Sequence, residues 1–101
     1  MSKVAVVVKL RIKPGQRDAF TEVFQPGLVT AQNESETLTY ILHHDVVDAD
    51  VVWIYEVYAS QDAMNAHLGS DAFKALSKSL ADFVVGAPEF NLVMPIGGKG
   101  L

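Results

Sequence analysis

Two repeat lengths alternate along this chain, a two-residue period that suits strands and a three-to-four-residue period that suits helices. Val4 to Ile12 is a β-branched run closed by the turn pair Pro14-Gly15, which predicts a first strand. From Gln16 onward Phe20, Val23, Phe24, Leu28 and Ala31 follow helical spacing. Pro26 lacks a backbone donor and Gly27 follows it, so a kink or break is expected there and the helix in two parts. Thr37 to His44 reads as a second strand, the acidic stretch Asp45 to Asp50 as a hairpin connection, and Val51 to Tyr58 as a third strand. Ser60 can cap a short helix through Leu68 that Gly69 stops. Ser70 can cap the next, in which Phe73, Leu76, Leu80, Phe83 and Val84 form an apolar stripe ending at Gly86. Phe90 to Met94 is expected as the last strand, and the glycine-rich tail after Pro95 reads as mobile.

The order strand, helix, strand, strand, helix, strand predicts an α+β fold: a ferredoxin-like βαββαβ antiparallel sheet with helices on one face. It would form one domain over residues 1–101, with its core at about 4–94 and a tail at 95–101. The strands add a further expectation. A sheet with one wet face alternates apolar and polar residues, yet the first strand is apolar at Val4, Val6, Val8 and Leu10 and also at Ala5 and Val7. The third is apolar or aromatic on both parities as well, from Val51 through Val57. The helices of so short a chain cover one face, so the other is expected to pack on a second copy, giving a homodimer joined sheet to sheet.

Composition narrows the partners. Half of the 101 residues are hydrophobic, enough for a real core, and 12 acidic residues against 8 basic ones give a net charge of -4. Without a basic block to neutralise phosphates, nucleic acid is not an expected partner. No cysteine is present, which removes disulfides and thiol chemistry together. The opening residues, with Lys3, Lys9 and Arg11 close together, are too short and too charged for a signal peptide or a membrane span, so a cytoplasmic protein off the membrane is expected. P-loop, dinucleotide fingerprint, nucleophile elbow and HExxH are all missing from the chain.

Candidate chemistry concentrates between Trp53 and Phe73. Glu56 sits in a run of Val, Trp, Ile and Tyr, where a carboxylate must be paired, protonated or solvated in a cavity. It shares parity with Val52, Ile54 and Tyr58, while Trp53, Tyr55 and Val57 point to the opposite face. Such a group has a raised pKa and can move a proton; the plainer alternative is an ion pair with Lys9 or Arg11 of the neighbouring strand. His67 lies one turn after Ala63 and Met64 on a helix face of small and apolar groups, suited to accept a proton near neutral pH. Alternatively, it interacts with free carbonyls at the helix end beside Gly69. His43 and His44 are adjacent in a strand, leave opposite faces and cannot chelate one ion, and the acidic loop lacks the glycine and terminal Glu of an EF-hand, so no metal site is expected. Tyr40, Trp53, Tyr55 and Tyr58 can stack on a flat aromatic ligand, Phe73 can join them, and Met64 has the adaptable side chain that suits an irregular cavity. More often such residues serve as core or interface filler.

Lys13-Pro14-Gly15 before the first helix, Leu38 and Tyr40 in the second strand, Tyr55-Glu56 in the third, and Ala66-His67 followed by Ser70 and Phe73 together resemble the antibiotic biosynthesis monooxygenase domain family from about Val4 to Met94. The resemblance implies a dimeric α+β barrel and oxygenation of a small phenolic or quinol-type substrate, without metal, flavin or other cofactor, in a pocket between sheet and helices. It also implies His67 as the proton acceptor and Glu56 as the group that orients it or holds the substrate hydroxyl. Two positions depart from the family pattern: Ala72 stands where many relatives carry a second His, and Glu34-Ser35-Glu36-Thr37 stands where a Gly is common. The haem-degrading branch of the fold is disfavoured, because the first strand has no Asn and no His follows Phe73. Two other readings remain open on this evidence: an isomerase acting on a small carbonyl compound, and a dimeric binding module without catalysis.

Overall fold

The computed structural model describes residues 2–101. In chain order the elements are β1 (Val4–Ile12), α1 (Arg17–Gln32), β2 (Thr37–His44), β3 (Val51–Tyr58), α2 (Gln61–Leu68), α3 (Asp71–Leu80), a 3-10 turn over Ala81–Phe83, and β4 (Val84–Val93). The four strands make one antiparallel sheet in the order β2-β3-β1-β4, the ferredoxin-like arrangement expected from the element order. Its second helical connection is divided into α2 and α3. Both begin on a serine: the Ser60 Oγ accepts from the Ala63 N–H and the Ser70 Oγ from the Phe73 N–H, each at 3.1 Å.

Strand register sorts the side chains into two faces. Val8 lies between Ile54 and Phe90, and Val6 between Glu56 and Leu92, with Leu42 and Tyr40 continuing those rows on β2. This inner face meets the helices, and its central residues, with Phe20 and Phe24 of α1, Met64 of α2 and Leu80 of α3, form the buried core. On the outer face Val7 lies between Tyr55 and Asn91, and Lys9 between Trp53 and Glu89. Apolar side chains there remain open, with the cross-strand partners Ile41 and Tyr55 at 47% and 37% exposure.

Two elements differ from the sequence expectation. Helix α1 runs unbroken through Pro26 instead of dividing there. Its buried stripe of Phe20, Phe24, Gly27 and Ala31 passes straight through the proline, so packing outweighs the one hydrogen bond that Pro26 cannot make. Gly27 has a packing reason of its own, since a Cβ there would come within 2.6 Å of the Leu76 Cδ2. Strand β4 begins at Val84, six residues before the expected Phe90. Phe83 and Val84 continue the helical spacing of α3 and thereby hide the change of element. Gly86 is no helix stop: with φ of 73° it lies where the β1–β4 register shifts between Lys9 and Arg11, a bulge that glycine accommodates. Pro88 is tolerated because β4 is an edge strand.

Candidate functional site

The helices do not cover the whole inner face. Between the sheet, α3 and β4 they leave a cavity of about 390 Å³. Val8, Leu10 and Ile54 form its floor, Phe73, Leu76 and Leu80 its α3 wall, and Gly86, Pro88 and Phe90 its β4 side. Phe90 is half exposed at this edge of the sheet. Against these apolar surfaces the polar side chains at the wall are Glu56, Tyr40 and Ser77.

Glu56 faces inward by the parity of β3, directly across from Tyr40 on β2, and is only 5% exposed. The Tyr58 hydroxyl, two residues along the same face, donates to its Oε1. Burial pushes the Glu56 carboxyl above the ordinary glutamate range, and the Tyr58 hydrogen bond and the nearby His67 offset part of that rise. The phenols of Tyr40 and Tyr58 are pushed up as well, first by burial and then by the carboxylates around them. The alternative ion pair is not made: Lys9 lies 3.8 Å from Glu89 and Arg11 lies 3.1 Å from Asp48, both on the outer side of β1.

His67 comes from the last turn of α2, and its ring is enclosed by those of Tyr40, Tyr58 and Phe73 at centroid distances of 5.3, 5.4 and 5.4 Å. Its Nδ1 lies 2.8 Å from Glu34 Oε1, which also accepts from the Thr37 hydroxyl at 2.9 Å. An ionised carboxylate can only accept, so Nδ1 carries the hydrogen in this pair and Nε2 is left as the free basic position. That Nε2 is buried and has no hydrogen-bond partner. A histidine held by a carboxylate at one nitrogen and free at the other is the base-and-orienter arrangement of acid–base catalysis. The ring stands behind the cavity wall, screened by Tyr40 and Phe73, which touch both.

The structure thus gathers Glu56, His67, Tyr40, Tyr58 and Phe73, and separates Trp53, Tyr55 and Met64 from them. Trp53 is on the outer face, where its indole N–H donates to Asp45 at 2.8 Å and the Lys9 ammonium lies 5.5 Å from its ring centroid. Met64 is packed into the core at 5% exposure and forms no part of the cavity wall. Tyr58 touches Glu56 and His67 but is fully buried and forms no part of the wall. The carboxyl that bonds His67 is that of Glu34, not Glu56; it sits in the turn before β2, 33 residues from His67. No local spacing relates the two positions; Glu34 and Thr37 stood out in the sequence only as the place of an absent glycine.

Elsewhere, His44 bonds Thr21 at 2.7 Å on the inner side, and His43 lines the outer face beside Trp53. No three His, Asp or Glu side chains gather at metal-binding distance among the described residues. Nor is any helix among them long and apolar enough to cross a membrane.

The antibiotic biosynthesis monooxygenase family profile matches residues 3–79, which include β1 through α2 and nearly all of α3. The chain belongs to this family. A Caulobacter crescentus protein provisionally named an antibiotic biosynthesis monooxygenase is 29% identical and superposes with a TM-score of 0.88 over 95% of this chain and 92% of its own. A protein of Chloroflexus aurantiacus with the same provisional name is 28% identical, with a TM-score of 0.83 over 98% of each chain. A third, from Nitrosomonas europaea, shares the fold at a TM-score of 0.90 over 98% and 95% of the two chains with 15% identity. No curated protein matches the sequence. The cavity of this family member lies on the helix side of the sheet, and its polar end is Glu56 with the Glu34–His67 pair behind it.

Proposed function

We propose that this protein is a cofactor-independent monooxygenase of a small phenolic or quinol substrate. The observation that carries the reading is a carboxylate-held histidine with a free Nε2, adjoining a mostly apolar cavity that has one carboxyl in its wall. Membership of a family described as monooxygenases supports it. Flat aromatic rings fit between Phe73, Leu76 and Ile54, and the substrate hydroxyl meets Glu56 and Tyr40. His67 takes the phenolic proton once Tyr40 and Phe73 turn aside, and Glu34 holds the ring through Nδ1 and stabilises the imidazolium. The apolar walls exclude water from the resulting anion. Dioxygen then accepts electrons from the anion: one oxygen atom bonds to the ring, and the other leaves as water with the hydroxyl hydrogen and the displaced ring hydrogen. The quinone that results balances the equation without an external reductant.

The second part of the reading is a homodimer joined through the outer face, where Ile41, Tyr55 and Val93 lie open in adjoining rows. Light scattering at micromolar concentration should give twice the monomer mass of 11.0 kDa, and a clean monomer contradicts that part. The chemistry is tested by offering a panel of phenols and quinols to purified, colourless protein before and after exhaustive chelation. Equal quinone formation in the two samples supports the reading. A flavin spectrum, or activity lost with the metal, overturns it.

A further inference from the structure

The cavity has no positive charge with which to receive an anion. Its lining includes no Lys, Arg or His, and its one acidic side chain, Glu56, is 5% exposed at the inner end. The nearest sheet cations are turned away, Lys9 toward Glu89 and Trp53, Arg11 toward Asp48. His67 is screened by Tyr40 and Phe73 and already committed at Nδ1 to Glu34, and the α3 lysines, Lys74 and Lys78, are exposed and stand outside the lining.

We infer that the cavity selects uncharged hydroxylated aromatics and rejects the same ring systems when they carry a carboxylate, sulfonate or phosphate. Such an anion loses its hydration on entering apolar walls and gains no ion pair in exchange, a cost far above that of any single apolar contact. Beside an ionised Glu56 it meets like charge as well. A neutral phenol faces neither cost, since its hydroxyl can donate to the Glu56 carboxylate or accept from the neutral acid. Discrimination of this kind rests on what the site lacks, and it is stronger than discrimination by the size of an apolar group.

The inference builds on the reading of this cavity as the substrate site, and its test separates the two. Binding of 1-naphthol and of 1-hydroxy-2-naphthoate, one ring system without and with a carboxylate, is measured by calorimetry on the wild-type protein and on Ser77→Arg. Ser77 is an exposed α3 residue at the cavity wall, outside the Glu56, His67 and Glu34 group, and arginine is a good helix former, so the variant places a cation at the cavity without disturbing the fold. Wild type is expected to bind 1-naphthol and to bind the naphthoate at least about tenfold more weakly, and Ser77→Arg to raise naphthoate binding at least about tenfold relative to that of 1-naphthol. Equal or tighter naphthoate binding by wild type overturns the inference, as does failure to bind either compound. A naphthoate affinity that Ser77→Arg leaves unchanged overturns the assignment of the selection to this cavity. Oxygen consumption is scored separately: charge selection without turnover upholds the inference and removes the monooxygenase reading, and turnover without charge selection does the reverse.

Discussion

On the inner face of β3, Ile54, Glu56 and Tyr58 are buried and the polar atoms of the last two satisfy each other, whereas on the outer face Trp53 and Tyr55 stay partly open and the indole reaches sideways to the hairpin loop. Tyr58 bonds the carboxyl of Glu56 and Trp53 that of Asp45 in the loop, and the two carboxyls are shifted in opposite directions. Glu56 is pushed up, chiefly by burial. Asp45 is held down to about 2, first by the Asp48 backbone N–H, then by Trp53 and the Val47 backbone N–H. The same residue chemistry, aromatic beside carboxyl, builds a buried hydrogen-bonded pair where water is excluded and a hydrogen-bonded turn where it is not. A one-residue shift of register would exchange the two faces, so parity along β3 decides where the chemistry lies.

If the inner face holds the site, its variants should slow the reaction and outer-face variants should leave it intact. The largest effect is expected for His67→Ala, a loss of on the order of a hundredfold or more in turnover, as for removal of a general base. Because the ring is buried and paired, this variant also loses stability, so its rate is compared at a temperature where circular dichroism shows it folded. Glu34→Gln keeps the shape, should lower turnover less than His67→Ala, and should displace the pH–rate profile; an unchanged profile would make Glu34 a merely structural partner. Next is Tyr58→Phe, which leaves the buried Glu56 without its donor and should cost about 1–3 kcal/mol of unfolding free energy in urea. A cost near zero would mean that Glu56 finds another partner.

A smaller, pH-dependent effect distinguishes the carboxyls themselves. Since folding raises the Glu56 pKa above its ordinary 4.5, its contribution to stability is fully present below that pH and is lost as the pH rises through the folded value. Glu56→Gln cannot ionise, so the stability difference between variant and wild type should move in the variant's favour from about pH 4 toward neutrality. Asp45 runs the other way: its contribution is present above its ordinary 3.8 and lost as the pH falls through about 2. The smallest effect is expected for Trp53→Phe, which leaves turnover unchanged and moves the Asp45 titration, followed by NMR, from about 2 toward 3.8. A drop in turnover with Trp53→Phe would join the two faces functionally and undo the comparison.

Sequence reached as far as local chemistry reaches. The strand boundaries of β1, β2 and β3, the two serine caps and the inward parity of Glu56 all follow from neighbours within a few residues of one another. Pro26 misled because the helix-breaking tendency is local, while the stripe that holds α1 together is set by packing on the sheet and on α3. The start of β4 was hidden because Phe83 and Val84 fit either period. At the site, His67 could be singled out, but its partner could not: the pairing with Glu34 exists only once the turn before β2 is folded against α2. Trp53 and Met64 are good ligand-binding residue types that the fold directs elsewhere, one to the outer face and one into the core.

The central claim is that the inner-face cavity oxygenates its substrate with no partner but dioxygen, and the stoichiometry of oxygen consumed to quinone formed tests it most directly. With a reactive phenol, no added cofactor and peroxide measured in parallel, the account predicts one dioxygen per quinone and no peroxide. Peroxide released one for one, a requirement for an added reductant, or no oxygen uptake from any phenol or quinol in the panel would contradict it.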